Sequence, residues 1–125
     1  MIAYSTIGTN DMEKARAFYD ALFAELGAKP MLERPDGGFV GYGVAAGQPL
    51  FGIAKPADGK TAAAGNGNMV AVQAKDSEQI QSLYDKAISL GATCEGKPGP
   101  RLGGAVHCGY VRDLDGNKLN FFCMD

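Results

Sequence analysis

The sequence predicts an α+β fold made of two tandem β-α-β-β-β modules, and three observations support this prediction. An amphipathic stretch that opens at Asp11 recurs 65 residues later, where Asp76 opens a second one. In both stretches the apolar residues return every three or four positions, which favours a helix. Short β-prone segments follow each helix, and clusters of glycine, proline and aspartate separate them. Self-similarity over half a chain indicates one supersecondary unit present twice.

The repeat continues beyond the helices and allows the two halves to be compared residue by residue. The comparison gives a residue of one module a counterpart in the other, and counterparts are expected to occupy equivalent places in the fold. The matched pairs are Tyr19 with Tyr84, Gly27 with Gly91, Tyr42 with Tyr110, and Leu50 with Leu119.

The first module is predicted to begin with a strand over residues 2–9 that runs into a helix. Asp11 suits the N-cap because its carboxylate can accept hydrogen bonds from the first free backbone amides. The apolar periodicity ends at Leu26, and Gly27 is expected to cap the helix in the left-handed conformation, with positive φ. Turn-forming residues then separate three short strands, over residues 29–34, 39–45 and 50–55.

The second module repeats this order. A strand over residues 68–75 precedes a helix that Asp76 or Ser77 caps and that ends at Gly91, again with positive φ. Gly116 is expected to have positive φ as well, because it lies in an Asp-Gly-Asn turn. The predicted strands are residues 93–95, 106–112 and 118–124, with a loop over residues 97–101 and a turn over residues 113–117.

These elements divide the chain into module one (residues 1–55), a linker (residues 56–67) and module two (residues 68–125) of a single domain. The linker is small, polar and punctuated by glycine. One helix cannot cover both faces of a four-stranded sheet. The second face of each module must therefore meet the other half, a second subunit or a ligand.

Composition argues against several classes of partner. The net charge of −2 gives no reason to expect binding to nucleic acid or to an anionic membrane. No apolar run approaches the roughly 20 residues of a membrane helix, and the N-terminus lacks the pattern of a secretory signal. The three cysteines are odd in number and far apart, which predicts reduced thiols and a cytoplasmic protein.

Three segments together resemble a known superfamily. They are residues 9–11 leading into residues 17–20, then residues 65–67, and finally the Val-Arg-Asp-Leu-Asp-Gly-Asn run of residues 111–117. In order and spacing they are similar to the vicinal oxygen chelate superfamily, the group of glyoxalases, bleomycin resistance proteins and extradiol dioxygenases. The resemblance implies a cupped mixed sheet with helices outside and a cavity on its concave side.

The resemblance also identifies where a metal would bind. In metal-dependent members, His, Glu or Gln side chains on four strands hold a divalent cation. The corresponding positions here carry Tyr4, Phe51, Met69 and Asn120. None is a His, Asp or Glu, and an alignment error of one residue would bring in no better ligand. We therefore expect neither a metal nor another cofactor.

Other side chains are candidates for contact with a ligand in the cup. Phe122 would add to its lining. Arg101, together with Lys97, could hold an anion unless it is simply a solvated charge. Tyr110 would lie opposite Asn120, on the same face, if the turn at residues 113–117 stands outside the strand pairing. A bulge in this turn would instead place the two side chains on opposite faces of the sheet. His107 could contact a ligand or could be an ordinary strand histidine. Its neighbour Cys108 points to the opposite face, so the two do not form a catalytic pair.

These residues favour a metal-independent protein that binds a small organic molecule in the cup. A lyase or isomerase of the glyoxalase type is the alternative, although no catalytic residue can be assigned. A dimeric scaffold without a ligand is the third possibility. Because exposed apolar side chains and strand edges need shelter, we also expect a homodimer.

Overall fold

A computed structural model describes residues 1–124 of the chain. They fold into two compact units, Met1–Ala64 and a second one that begins at Gly65. Each unit has the predicted order of one strand, one helix and three further strands. Module one consists of β1 (Tyr4–Gly8), α1 (Met12–Ala24), β2 (Lys29–Glu33), β3 (Phe39–Gly43) and β4 (Leu50–Ala54). Module two consists of β5 (Val70–Gln73), α2 (Ser77–Ser89), β6 (Thr93–Arg101), β7 (Val106–Arg112) and β8 (Lys118–Met124).

Each module contains one mixed four-stranded sheet. The strand order is β1-β4-β3-β2 in module one and β5-β8-β7-β6 in module two. The first strand of each module pairs in parallel with the last one, and the other neighbours are antiparallel. This topology confirms the predicted α+β fold of two β-α-β-β-β modules.

The ends of both helices are built as the sequence predicts. The Asp11 carboxylate accepts a hydrogen bond from the Lys14 amide, and the Asp76 carboxylate accepts one from the Gln79 amide at 2.8 Å. These bonds satisfy amides that have no partner inside the helix. The predicted positive φ angles are confirmed at Gly27 (69°), Gly91 (105°) and Gly116 (85°).

Helix α1 covers one face of its sheet through an aromatic cluster. The Phe51 ring lies 4.9 Å from Phe23 and 5.1 Å from Tyr19, between ring centroids. Tyr42 joins the cluster, and its hydroxyl donates to the Asp20 carboxylate at 2.6 Å. Burial, with this hydrogen bond as the second cause, raises the pKa of Tyr42. The matching of Tyr42 with Tyr110 in the repeat is therefore wrong, because Tyr42 faces α1 whereas Tyr110 lies on the other face of its strand from Gly109, which meets α2.

Helix α2 covers its sheet with mainly aliphatic side chains, among them Ile80, Leu83 and Ala87. A Cβ atom built on Gly109 of β7 would lie 3.3 Å from Cγ2 of Ile80, which shows that this face of the strand meets the helix. By strand alternation, Val111 shares the face, as do Leu119 and Phe121 on the neighbouring β8. All three are 0 % exposed. Module two thus has a core of the same design with smaller side chains.

The segment predicted as a loop, residues 97–101, is the second half of strand β6. Its pairing with β7 is interrupted between Cys94 and Gly96 and again between Gly96 and Gly99. Prolines 98 and 100 are tolerated because β6 is the edge strand of its sheet, where a missing amide hydrogen removes no required bond. A turn with positive φ at Leu102 (52°) and at two glycines then leads into β7.

The segment between the modules is held against module one. The Asn10 amide donates to the Ala62 carbonyl at 3.0 Å and accepts from the Ala62 amide at 2.7 Å. A Cβ atom on Gly8 would lie only 3.0 Å from the Ala62 Cβ atom, so glycine permits this close approach.

The turn between β7 and β8 is organised by one buried carboxylate. Asp113 is 7 % exposed, and its Oδ1 accepts from the amides of Asp115 and Asn117, both at 2.9 Å. Its Oδ2 accepts from the side-chain amide of Asn117 at 3.1 Å. This network fixes a five-residue turn and, through it, the register of β8 on β7.

We predict that Asp113→Ala lowers the free energy of unfolding by about 3 kcal/mol, because buried amides lose a charged acceptor. Asp58→Ala is the matched control, since Asp58 accepts only the Lys60 amide in an exposed turn. The control should cost less than about 1 kcal/mol. Urea denaturation measures both, and equal losses would show that the buried network contributes nothing special.

Candidate functional site

Each sheet has one face against its own helix and a second face without one, which we call the helix-free face. Strand alternation assigns residues to these faces. In module one, Tyr4, Thr6, Phe39, Leu50 and three glycines lie on the helix-free face: Gly8, Gly41 and Gly52. In module two, the helix-free face carries Ala71, Cys108, Tyr110, Asn120 and Phe122.

The structure corrects the sequence comparison of the two modules at their last strands. Ser5 pairs with Phe51 in module one as Val70 pairs with Leu119 in module two. The counterpart of Asn120 is therefore Gly52, one residue after Phe51. The reason is turn length, since six residues join β3 to β4 and five join β7 to β8.

Phe51 is consequently removed from the candidate site. The prediction that it faces the cup is wrong, because its ring packs against Tyr19 and Phe23 of α1. Phe39, which the sequence analysis did not single out, takes its place on the helix-free face. A Cβ atom on Gly52 would lie 2.6 Å from the Phe39 ring, so the ring rests directly on the glycine. The difference in turn length between the modules is visible in the sequence. Counting the turn residues would have shown that Phe39, not Phe51, lies on this face.

Module one contains a cavity on this face. Its volume is about 530 Å³. Tyr4 stands at its edge, 54 % exposed, with its ring edge-on to Phe39 at 5.9 Å between centroids. The remaining wall is formed by Thr6, Ile7, Gly8, Leu32, Glu33, Arg34, Ala54, Lys55, Pro56 and Ala57. The cavity is thus mainly apolar with a charged rim, as in many small-molecule sites.

In module two the register places Tyr110 directly opposite Asn120 and Arg112 opposite Lys118. This is the arrangement expected if the turn stands outside the strand pairing. The Tyr110 hydroxyl shares a hydrogen bond with the buried Cys108 thiol, and this bond, together with desolvation, raises the pKa of Tyr110. Tyr110 and Asn120 therefore lie side by side on the helix-free face.

Asn120 combines deep burial with an unused hydrogen-bonding atom. The residue is 5 % exposed. Among residues 1–124, no donor reaches its buried Oδ1 atom. A buried carbonyl without a partner costs about 1–3 kcal/mol. Such a group can accept a hydrogen bond from a molecule bound on this face.

Two cations flank Tyr110. The Arg101 guanidinium carbon lies 5.6 Å from the ring centroid, and the Lys118 ammonium nitrogen lies 5.3 Å from it. Both distances are within the range of a cation–π contact. Arg101 thus lies beside Tyr110, the cross-strand neighbour of Asn120.

The remaining predicted residues are divided between the two faces. Phe122 is half-buried on the helix-free face, opposite Cys108. Met69 precedes β5 and is 43 % exposed. It is two residues from Ala71, so strand alternation gives it the same face.

His107 is two residues from Gly109 and shares its face, which α2 covers. It lies opposite Cys123. His107 therefore does not share the helix-free face with Tyr110 and Asn120.

The side chains at the expected metal positions do not fit a divalent cation. With the corrected register they are Tyr4, Gly52, Met69 and Asn120, which offer a phenol, no side chain, a thioether and one amide. These groups are poor ligands for zinc, iron or manganese. In residues 1–124, no three His, Cys, Asp or Glu side chains are grouped as metal ligands would be.

Neither helix in the described part of the chain is long and apolar enough to span a membrane. The comparison with curated proteins found no match.

Solved structures share the fold over nearly the whole chain. A glyoxalase/bleomycin resistance protein from Albidiferax ferrireducens T118 is 33 % identical, with a TM-score of 0.86 over 98 % of this chain and 97 % of its own. A glyoxalase-related enzyme from Fulvimarina pelagi is 19 % identical, with a TM-score of 0.73 over 98 % and 86 %. A lactoylglutathione lyase from Agrobacterium tumefaciens is 21 % identical, with a TM-score of 0.70 over 98 % and 92 %. At their low identity, the last two show a common fold alone.

Residues 1–121 also match the Glyoxalase/Bleomycin resistance protein/Dioxygenase superfamily. The match covers both modules, including the turn at Asp113 and the strand of Asn120. By this match and by its similarity to the Albidiferax protein, the chain belongs to the glyoxalase/bleomycin resistance protein/dioxygenase superfamily.

Proposed function

We propose that this protein binds a small organic molecule on its helix-free faces without the help of a divalent metal. The observation that carries the proposal is the Asn120 amide, which is 5 % exposed and whose Oδ1 atom receives no hydrogen bond among residues 1–124. By the family resemblance, its position is one where metal-dependent members are expected to carry a metal ligand. A ligand that donates a hydrogen bond would remove the cost of leaving this carbonyl unpaired.

The lining of the two faces supports an apolar or aromatic ligand body. Module one offers the cavity of about 530 Å³ with Tyr4 and Phe39 in its wall. Module two offers Phe122 and the Tyr110 ring beside Asn120. Aromatic walls with a few polar groups are typical of sites for organic molecules, because the walls supply affinity and the polar groups fix orientation.

We expect the purified protein to contain well under one equivalent of zinc, nickel, iron or manganese after dialysis. The reason is the donor set of Tyr4, Gly52, Met69 and Asn120. Elemental analysis measures the content, and native mass spectrometry of the same sample reports any organic ligand that co-purifies. A stoichiometric metal that Asn120→Leu removes would contradict the proposal.

Asn120→Leu should weaken ligand binding by about tenfold, which corresponds to about 1.4 kcal/mol. Because no donor among the described residues reaches the buried Oδ1 atom of Asn120, the unfolding free energy of the ligand-free variant should stay the same or rise. Ligand occupancy and urea denaturation measure the two effects.

The matched control is Asn66→Leu, since Asn66 lies in an exposed turn. It should leave ligand occupancy unchanged. A result in which Asn120→Leu lowers stability and leaves affinity intact would make Asn120 a structural residue.

We also propose that the protein is a cytoplasmic homodimer. The support for dimerisation is apolar exposure in module one, where Tyr4 is 54 % exposed and Leu32 is 51 % exposed. Surfaces of this kind are commonly buried against a twofold partner. The three cysteines are free thiols, as expected in a reducing compartment.

Light scattering at micromolar concentration should return about twice the chain mass of 13.1 kDa. Leu32→Glu should lower the mass towards that of the monomer by placing a charge in the interface. Leu114→Glu is the control, because Leu114 is similarly exposed, at 45 %, but lies in the turn after β7. A monomer mass for the unmodified protein would exclude the dimer.

A further inference from the structure

Arg101 differs from every other arginine of the chain in its electrostatic partners. The chain has four arginines, and three of them pair with a carboxylate at 2.5 Å: Arg16 with Glu33, Arg34 with Asp36, and Arg112 with Glu95. Among residues 1–124, Arg101 has no carboxylate partner. Its positive charge is therefore available to a bound molecule.

The guanidinium of Arg101 is nevertheless held in place. Its Nη2 atom donates to the Lys97 carbonyl at 2.9 Å, and its Nη1 atom donates to the Pro100 carbonyl at 3.1 Å. These two bonds use part of the five N–H groups and leave the charge uncompensated. A fixed cation loses less conformational freedom on binding than a mobile one, so it is the better anchor for an anion.

The local backbone makes room for this arrangement. A Cβ atom on Gly96 would lie 2.9 Å from Cδ2 of Tyr110 and 3.5 Å from Nη2 of Arg101. Glycine at this position thus allows the Tyr110 ring and the guanidinium to sit over the same stretch of strand. The strand bulges on both sides of Gly96, which also bends the edge of the sheet locally.

Arg101 and the buried Asn120 amide have Tyr110 as a common neighbour. The guanidinium carbon of Arg101 is 5.6 Å from the Tyr110 ring, and Tyr110 is the direct cross-strand neighbour of Asn120. Lys118 contributes a second charge, 5.3 Å from the same ring. Glu95, an acidic residue on the neighbouring strand, is already bound by Arg112. A positively charged group and an unused carbonyl therefore flank one aromatic ring.

We propose that the helix-free face of module two binds an organic anion, with its carboxylate or phosphate on Arg101 and a hydroxyl or N–H group donating to Asn120. The inference rests on the proposed function and deepens it by naming the ligand class. The body of the ligand lies along Tyr110 and Phe122, whose rings supply apolar contact. Lys118 adds attraction that salt screens.

The test is an NMR titration of the isotopically labelled full chain with para-hydroxybenzoate and with its neutral analogue para-hydroxybenzamide. A third probe, para-hydroxyphenyl phosphate, carries a phosphate in place of the carboxylate, so it distinguishes a carboxylate site from a phosphate site. The signals followed are the Arg101 Nε–H and the Asn120 side-chain amide. We expect at least one of the anions to shift both signals and to bind about tenfold more tightly than the neutral analogue.

Arg101→Gln should abolish the preference for the anion, and raising the salt concentration should reduce it in the unmodified protein. Lys97→Gln is the matched control, because Lys97 offers its backbone carbonyl, not its side chain, to Arg101. It should retain the preference. Thermal unfolding checks that all variants are folded.

Three results would overturn the proposal: equal binding of anion and amide, a preference that survives Arg101→Gln, or no shift of either signal with any probe. If the anion and the amide bind equally and the Asn120 amide signal still shifts, small-molecule binding stands and only the preference for an anion is contradicted. Absence of any shift, together with a protein that co-purifies with no organic molecule, would remove the proposed function too.

Discussion

The structure depends on the fact that one helix packs on one four-stranded sheet in each module. A helix covers a single face, so half of every strand's side chains must find other surroundings. In module one the covered face is an aromatic cluster around Phe23, and in module two it is a mainly aliphatic layer around Leu119. Strand alternation then decides which residues remain for function. Every candidate binding residue is one whose side chain points away from the helix of its own module.

Much of this architecture could be read from the sequence, because it rests on local signals. The caps at Asp11 and Asp76 and the glycines after both helices are determined by backbone groups within a few residues. The opposition of Tyr110 and Asn120 also follows locally, from a five-residue turn that Asp113 organises. Where a short-range hydrogen bond fixes the geometry, the sequence suffices.

The wrong predictions concern positions where an offset of one residue moves a side chain to the other face of its sheet. The turn before β4 is one residue longer than the turn before β8, so the repeat alignment places Phe51 on the wrong face. His107 was grouped with Tyr110 although an odd separation along one strand sends them to opposite faces. The strand character of residues 97–101 was hidden by two prolines, which only an edge strand accepts.

The same extra residue makes the two helix-free faces chemically different. In module one it brings Gly52 to the position that Asn120 occupies in module two, and the Phe39 ring rests on that glycine. Gly41, the cross-strand neighbour of Gly52, likewise stands where module two has Tyr110. Side-chain hydrogen bonding at these paired positions is thus confined to module two. A ligand of the proposed kind would therefore be distinguished by its polar groups in module two, while module one offers mainly shape and apolar contact.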